Sequence, residues 1–390
     1  MLRKIPLIGS LLTPDEVTKV FCRRRDPSSP AQFAQALSAF LPQQAVYLAS
    51  SGIAAFFLIL KALQSLSPAR VEVILPAYTA GSLVVAVRKA GLIPVLCDCS
   101  LADYNLDAEF LEEAVTARTL AVVCVHMFGI PMSGIVYLRA ALPREVFLVE
   151  DCAQALGSRV AGKPVGSFSD ISFWSFNRGK NLPLGAGGCI ATQRTELIEA
   201  VKKGVSLSDT RGDWMMYMKA VAFSFVTRPF VYGAGYSLIA CFKETRPPND
   251  FSIGGISLFQ SALGIALCAH LGKALATRMH NGEYLRRRLQ EVTALELPAV
   301  EPQAEAAYNR FPFLLKEAGM AASLVTRFNR AGIEISPMYG KPLHQMFSLG
   351  YPLDSFPRAR AIAGRLLALP LHPGVSVKEM DTMAGLLRTL

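Results

Sequence analysis

Charge is what this sequence has least of. Asp, Glu, Lys and Arg make up 18% of its 390 residues, against roughly 25% in an average soluble chain. Acids are the scarcer half, 30 against 40 bases, which leaves a formal net charge of +10. With 52% of residues hydrophobic and a mean hydropathy of +0.33, a disordered polyelectrolyte is excluded. A long unbroken apolar run is also missing. A spanning helix needs about 18 such residues, and the most apolar stretch, 214–242, is interrupted by Lys219, Arg228 and Pro229. The eight cysteines contain no C-x-x-C pair, and Cys97-Asp98-Cys99 has no His or further Cys near it to complete a metal site. Buried, reduced thiols in a cytoplasmic protein are the expectation, with no metal. Basic residues cluster only at 23–25 and 286–288, without the interleaved aromatics that single-strand binding needs, so nucleic acid is not an expected partner. Repeats and low-complexity segments are absent as well.

What is present is an alternation of two periodicities. Apolar runs at 71–75, 94–98, 120–126, 146–151, 171–175 and 188–192 read as strands, and 53–66, 82–90 and 107–117 carry helical spacing. Continuously apolar strands separated by helices predict an α/β fold with a mainly parallel sheet covered on both faces. Ligands in such sheets bind beyond the C-terminal strand ends. A short apolar N-terminus with Pro6 and Gly9 leads to Thr13-Pro14-Asp15-Glu16, a capping-box helix start, so an arm and helix are expected over 1–30 rather than a signal peptide. A large domain over 31–250 would carry the sheet. A long helical tract from 257 to 292, short strands at 311–315 and 333–336, and a capping box at 376–379 predict a smaller C-terminal α/β domain over 251–390.

Four features point to one chemistry. Ser50-Ser51-Gly52 opens a helix, where free N–H groups and the positive dipole end suit a phosphate. Val149-Glu150-Asp151 places carboxylates at the end of a strand. Ser175-Phe176-Asn177-Arg178-Gly179-Lys180-Asn181 puts a lysine in a loop at the same sheet edge, and Gly185-Ala186-Gly187-Gly188 permits close backbone approach. Singly, these residues read as ordinary caps, turns and solvated side chains. Together they describe a site for an aldehyde cofactor held as a Schiff base: Lys180 forms the imine, Asp151 keeps a pyridine nitrogen protonated, and Ser51, Gly52 and Ser175 hold a phosphate.

The ordered motifs Pro76-Ala77-Tyr78-Thr79, Asp103-Tyr104-Asn105-Leu106-Asp107, Val125-His126-Met127-Phe128-Gly129, Glu150-Asp151-Cys152-Ala153-Gln154-Ala155 and Tyr339-Gly340-Lys341-Pro342-Leu343-His344 resemble the DegT-type sugar aminotransferases over most of the chain except roughly 205–255. The resemblance implies the fold type I aminotransferase architecture, pyridoxal 5'-phosphate as cofactor, and a homodimer with active sites at the subunit interface. It implies that Lys180 forms the internal aldimine and moves the proton between the substrate Cα and the cofactor, and that Asp151 pairs with the pyridine nitrogen. Gln154 would lie near the ring, and Ser51, Gly52, Ile53 and Ser175 around the phosphate. Tyr78 and His344 are candidate substrate contacts. An amino acid, commonly glutamate, would load the amine, and a keto-sugar, commonly nucleotide-linked, would receive it. Related dehydratases replace the lysine with His, so Lys180 argues against that activity.

The chain also departs from that family. Ile53 stands where Thr is usual, Ala80 where an aromatic stacks on the ring, Ala186 where Glu is usual, and Gly254-Gly255 where an Asn and Arg supply a partner-subunit phosphate contact. A cofactor-binding sensor of the same fold, and an aminotransferase acting on a non-sugar or lipid-linked ketone, are the competing readings. The segment 214–242 would form either helices packed on the core or on the dimer partner, or an interfacial pair whose Lys219, Arg228 and Lys243 meet anionic headgroups, making the protein peripheral at a membrane.

Overall fold

A computed structural model describes residues 3–42, 45–203, 212–237 and 247–390. Its centre is a seven-stranded sheet in the order β1-β9-β8-β5-β4-β2-β3. The strands are β1 (Ala45–Ala49), β2 (Glu72–Pro76), β3 (Ile93–Cys97), β4 (Thr119–Val125), β5 (Phe147–Asp151), β8 (Ile171–Ser175) and β9 (Gly188–Thr192). The pairs β3–β2, β2–β4, β4–β5 and β5–β8 are parallel, whereas β9 runs antiparallel to both β8 and β1. Six strands therefore share one direction and β9 alone is reversed. Every residue of β4 and β5 is buried, which is why those segments read as unbroken apolar runs rather than alternating ones. Two further short strands, β6 (Arg159–Val160) and β7 (Lys163–Pro164), form a small sheet with β11 (Ala304–Glu305).

Helices α1 (Pro14–Cys22), α2 (Ser29–Ser38), α3 (Gly52–Leu66), α4 (Ser82–Lys89), α5 (Ala108–Ala114), α6 (Ile135–Ala141) and α7 (Thr195–Lys202) accompany the sheet. Thr13 caps α1 in the capping box expected from the sequence, reciprocated by Glu16. The segment expected to be helical to residue 117 stops at Ala114, where Val115 turns to extended backbone. Helices α8 (Asp213–Val226) and α9 (Pro229–Ala234) form the apolar segment, and its residues 238–242 lie outside the described ones. The 32-residue α10 (Leu258–Leu289) follows, capped by Ser257 with Gln260 in a second capping box. It packs against α1, α2, α8 and α14 (Val377–Arg388). Gly264 lets it approach α2, since a Cβ there would lie 2.4 Å from the Phe33 ring. α10 is apolar and long enough to cross a bilayer, but 56% of its apolar window is buried against the protein, as in a core helix.

Beyond α10, an antiparallel sheet forms from β10 (Leu295–Glu296), β12 (Phe311–Leu315) and β13 (Leu366–Leu369). It is covered by α11 (Ala321–Arg330), α13 (Pro357–Arg365) and α14, with the short α12 (Leu343–Met346) between them. The strand expected at 333–336 is reduced to two single bridges, Ile333 to Ile5 and Ser336 to Ala368. The first of these ties the N-terminal arm to the C-terminal part of the chain, and His372 Nε2, 3.0 Å from the Pro6 carbonyl, secures the same arm.

The inner face of α8 packs on α1: Tyr217 stacks on Phe21 with ring centroids 4.2 Å apart and shares a hydrogen bond with Thr18. Its outer face carries Met218 and Phe225, each 48% exposed, and Phe230 on α9 continues the patch, while Trp214 at its rim is 64% exposed yet meets Phe21 edge-on at 5.7 Å. The two faces explain the unusual composition of this segment: one is ordinary core packing, the other is an apolar surface.

Candidate active site

Asp151 ends β5 and Lys180 lies in the loop joining β8 to β9, so both reach the same edge of the sheet. Successive side chains of a strand point to opposite faces, and β5 uses both. Glu150 goes to one face, where its Oε1 accepts the N–H of Gly166 at 2.7 Å and its Oε2 accepts that of Phe168 at 2.9 Å. His126 Nδ1 accepts the N–H of Met132, so its Nε2 carries the proton donated to Glu150 at 3.0 Å. Cys152 lies near this pair, and the donor atoms of the three lie within 4.8 Å of one another. The ring nitrogens of His126 and the carboxylate of Glu150 are already committed to hydrogen bonds that lock the loops at 126–132 and 165–168. Asp151 goes to the other face and accepts the N–H of Ala153 at 2.9 Å.

Lys180 is positioned by the turn in which its N–H donates to the Asn177 carbonyl at 3.0 Å. Asn181 then anchors the loop, donating through Nδ2 to the carbonyls of Leu156 at 2.9 Å and Ala307 at 3.1 Å. Burial pushes the Lys180 amine down to about 8, with Asp151 opposing and the Arg310 guanidinium adding to the fall. Burial raises the carboxyl of Asp151, while the Ala153 N–H and Lys180 hold it back. Each group thus lies within reach of the other's charge.

The proposed phosphate residues also converge. Ser51 caps α3, its hydroxyl accepting the N–H of Ala54 at 3.2 Å. Ser175 packs directly on Gly52, where a Cβ would fall 2.6 Å from the serine Cβ. Gly188 is equally constrained, because a Cβ there would meet the Trp174 carbonyl at 2.6 Å and the Gly52 nitrogen at 2.8 Å. Side chains larger than hydrogen at these two glycines would push the strand end away from the helix start. Ile53 packs its side chain on the core and offers only its backbone to this turn. The segment that departs from the family motif lies beside it in the same chain: Ser50 donates to the carbonyls of Gly254 at 2.8 Å and Ser252 at 3.1 Å.

Gln154 is buried, its Oε1 accepting the Phe128 N–H at 3.1 Å, and its amide works against the burial that raises the Tyr339 phenol. Tyr339 was not among the candidates, although its segment was. Its phenol is buried, and the charge of Asp151 adds to the upward push on it. Tyr78 supports it from behind, accepting the Tyr339 N–H at 3.3 Å with the two rings 5.6 Å apart. His344 is placed elsewhere, with Nε2 3.2 Å from the Leu353 carbonyl and its ring against Phe356. Among the described residues no contact joins it to Lys180.

These residues fit pyridoxal 5'-phosphate. A half-buried amine with a lowered pKa suits imine formation, a buried carboxylate with one oxygen bonded suits a protonated pyridine nitrogen, and a glycine-lined helix start suits a phosphate.

Residues 27–388 match the model of the DegT/DnrJ/EryC1/StrS aminotransferase family. The chain is 29% identical over 322 residues to the erythromycin biosynthesis sensory transduction protein EryC1 of Saccharopolyspora erythraea, covering 81% of this chain and 78% of that one. It is 28% identical over 343 residues to the UDP-N-acetyl-3-dehydro-α-D-glucosamine 3-aminotransferase of Acidithiobacillus ferrooxidans, covering 87% and 82%. Among solved structures, S. venezuelae DesV in complex with a ketimine intermediate matches with a TM-score of 0.77 at 23% identity, over 99% of this chain and 98% of that one. The shared architecture is that of the fold type I aminotransferases.

Only the neutral amine of Lys180 is nucleophilic, so its reactivity should rise with pH through about 8 rather than through the ordinary 10.5. Acylation of the cofactor-free protein, followed at the Lys180 peptide, should show that midpoint. Asp151→Asn should move it lower still, since the charge that favours the ammonium form is gone. A midpoint above about 10, the range of exposed lysines, would contradict the buried placement.

Proposed function

The chain belongs to the DegT/DnrJ/EryC1/StrS aminotransferase family, and from that premise we propose that it uses pyridoxal 5'-phosphate to transfer an amino group from glutamate to a keto-sugar, most simply one carried on a nucleotide. The observation that carries this reading is the convergence of the half-buried Lys180 and the buried Asp151 on the C-terminal sheet edge, each influenced by the other's charge. The cofactor, when bound, supplies an electron sink conjugated to the substrate Cα. The rest is done by the chain. Asp151 holds the pyridine nitrogen through a charge-assisted hydrogen bond, and the Ser51-Gly52 turn with Ser175 holds the phosphate. Lys180, its amine lowered to about 8, would carry the proton between the substrate Cα and the cofactor carbon on the far side of the imine nitrogen. Gln154 and Tyr339 form one wall and exclude water from the ring.

The acceptor reading draws on relatives named for amino-sugar formation, including the Acidithiobacillus enzyme. Family resemblance also supports a cytoplasmic homodimer with shared active sites. A sensor that binds the cofactor without turnover is less favoured, because a structural cofactor site would not need a lysine held near its neutral form. Mixing the holoenzyme with glutamate should convert the cofactor's absorbance to that of the amine form within one turnover, and 2-oxoglutarate should reverse it. An unchanged spectrum with a folded, cofactor-loaded protein would favour the sensor.

A lipid-linked acceptor is the second reading, and one observation favours it. A cavity of about 240 Å³ separates α8 from α10 and opens on the loop 178–186. Its walls include Leu184, Met216, Phe223 and Leu263, with Arg178 and Lys219 as the charged groups. The exposed aromatic stripe of α8 would seat such an enzyme peripherally on an anionic bilayer. Met218→Ser, Phe225→Ser and Phe230→Ser combined alter only exposed side chains that make no ring contact with α1, so the helix should still pack there. Wild type should co-sediment with anionic vesicles and the triple variant about tenfold less, given the apolar area removed. Equal sedimentation of the two would remove membrane contact through this helix.

A further inference from the structure

One cation in the site takes no part in the mechanism above. Arg310 immediately precedes β12, on a stretch of backbone fixed from two sides. Arg278 on α10 donates through Nη1 to the carbonyls of Tyr308 at 3.3 Å and Asn309 at 3.0 Å, and the Asn309 N–H donates to the Phe128 carbonyl at 3.0 Å. Held this way, the Arg310 guanidinium rests on the residue before Lys180: its Nη2 lies 3.5 Å from where a Cβ of Gly179 would stand.

The guanidinium lacks an anion. Nη1 points at the Met338 sulfur at 3.2 Å, a weak acceptor, and the buried Nε has no partner. Among the described residues no carboxylate makes an ion pair with it. The acid whose charge it feels most, Glu334, is engaged elsewhere, its Oε2 accepting the N–H of Leu7 at 2.9 Å and the hydroxyl of Tyr232 at 2.6 Å. Arginine cannot shed its charge, and an unpaired buried charge is costly. A protein keeps one where a ligand completes the pair. The planar fork of a guanidinium matches a carboxylate through two parallel hydrogen bonds. Beside Lys180, the matching group is one close to the carbon whose proton the lysine moves, and every amino-acid donor carries a carboxylate one bond from that carbon.

We propose that Arg310 is the carboxylate-binding residue of the substrate pocket, orienting a substrate carboxylate against the Lys180 loop. This rests on Lys180 being the reacting lysine. The carboxylate has two sources, the amino donor or an acidic sugar acceptor, and the same chemistry would hold either.

The test is calorimetric titration of holoenzyme with unreactive probes. Glutarate stands for the donor, glucuronate for an acidic acceptor, and glutaramide for a neutral molecule of the same shape. Arg310→Gln should weaken one of the two carboxylates about tenfold or more, as loss of a charged hydrogen-bond pair does, with glutaramide unchanged. Arg310→Lys should restore part of the loss, because it returns the charge without the fork. A loss confined to glutarate assigns the donor, and a loss confined to glucuronate assigns the acceptor. Equal carboxylate binding by wild type and both variants would overturn the proposal, as would parallel loss of glutaramide, which would mark a merely structural arginine. The absorbance of the bound cofactor, read in the same samples, separates this outcome from failure of the underlying reading. If wild type shows no lysine-bound cofactor band, the assignment of Lys180 fails. If the band is present in all three proteins and carboxylate binding is unmoved, only the role of Arg310 fails.

Discussion

An amine and a carboxylate withdrawn from water at the end of a parallel sheet set the terms for the rest of this molecule. Burial raises the Asp151 carboxyl and lowers the Lys180 amine, and each charge partly restores the other. Such a pair is useful only if the backbone holds both partners still, since a buried charge with a mobile partner costs more than it returns. The surrounding structure meets that need. β5 lies between β4 and β8 with all five residues buried, and the Lys180 loop is tied down at Asn177, at Asn181 and through the bridge of Asn177 to Gly185. On the opposite face of β5, Glu150 binds two backbone N–H groups and His126. The neighbouring residues of one strand thus divide the work, one bracing the loops and the other entering the site.

Much of this was legible in the linear chain because it is local. Strand runs such as 171–175 and 188–192 coincide with observed strands, and the capping boxes at Thr13 and Ser376 appear as read. Asp151 at a strand end and Lys180 in a following loop could be placed at one edge by topology alone. The glycines at 52 and 188 were visible as small residues, but the reason for each, a serine or a carbonyl within 3 Å of a would-be Cβ, required the fold.

What escaped the sequence was non-local. β1 pairs antiparallel with β9 across about 140 residues of chain, and β13 completes a sheet begun near residue 295; short strands of this kind carry little periodicity of their own. Arg310 lies 130 positions from Lys180 in sequence and reaches it only because Arg278 and Phe128 fix the intervening backbone. Nothing in Tyr308-Asn309-Arg310 announces a site. The apolar excess of 214–242 was visible, but its division into a packed inner face and an exposed outer one depends on where α1 lies. His344, put forward by motif resemblance, lies in the fold against the Leu353 carbonyl and the Phe356 ring.

The central claim is that one lysine among many carries the cofactor, and that its burial beside Asp151 is what selects it. Borohydride reduction of the holoenzyme followed by peptide mapping tests this most directly. The account predicts a pyridoxyl group on the peptide containing Lys180, and no labelled lysine in Lys180→Ala. A stable label on any other lysine, or a label that survives in Lys180→Ala, would contradict it.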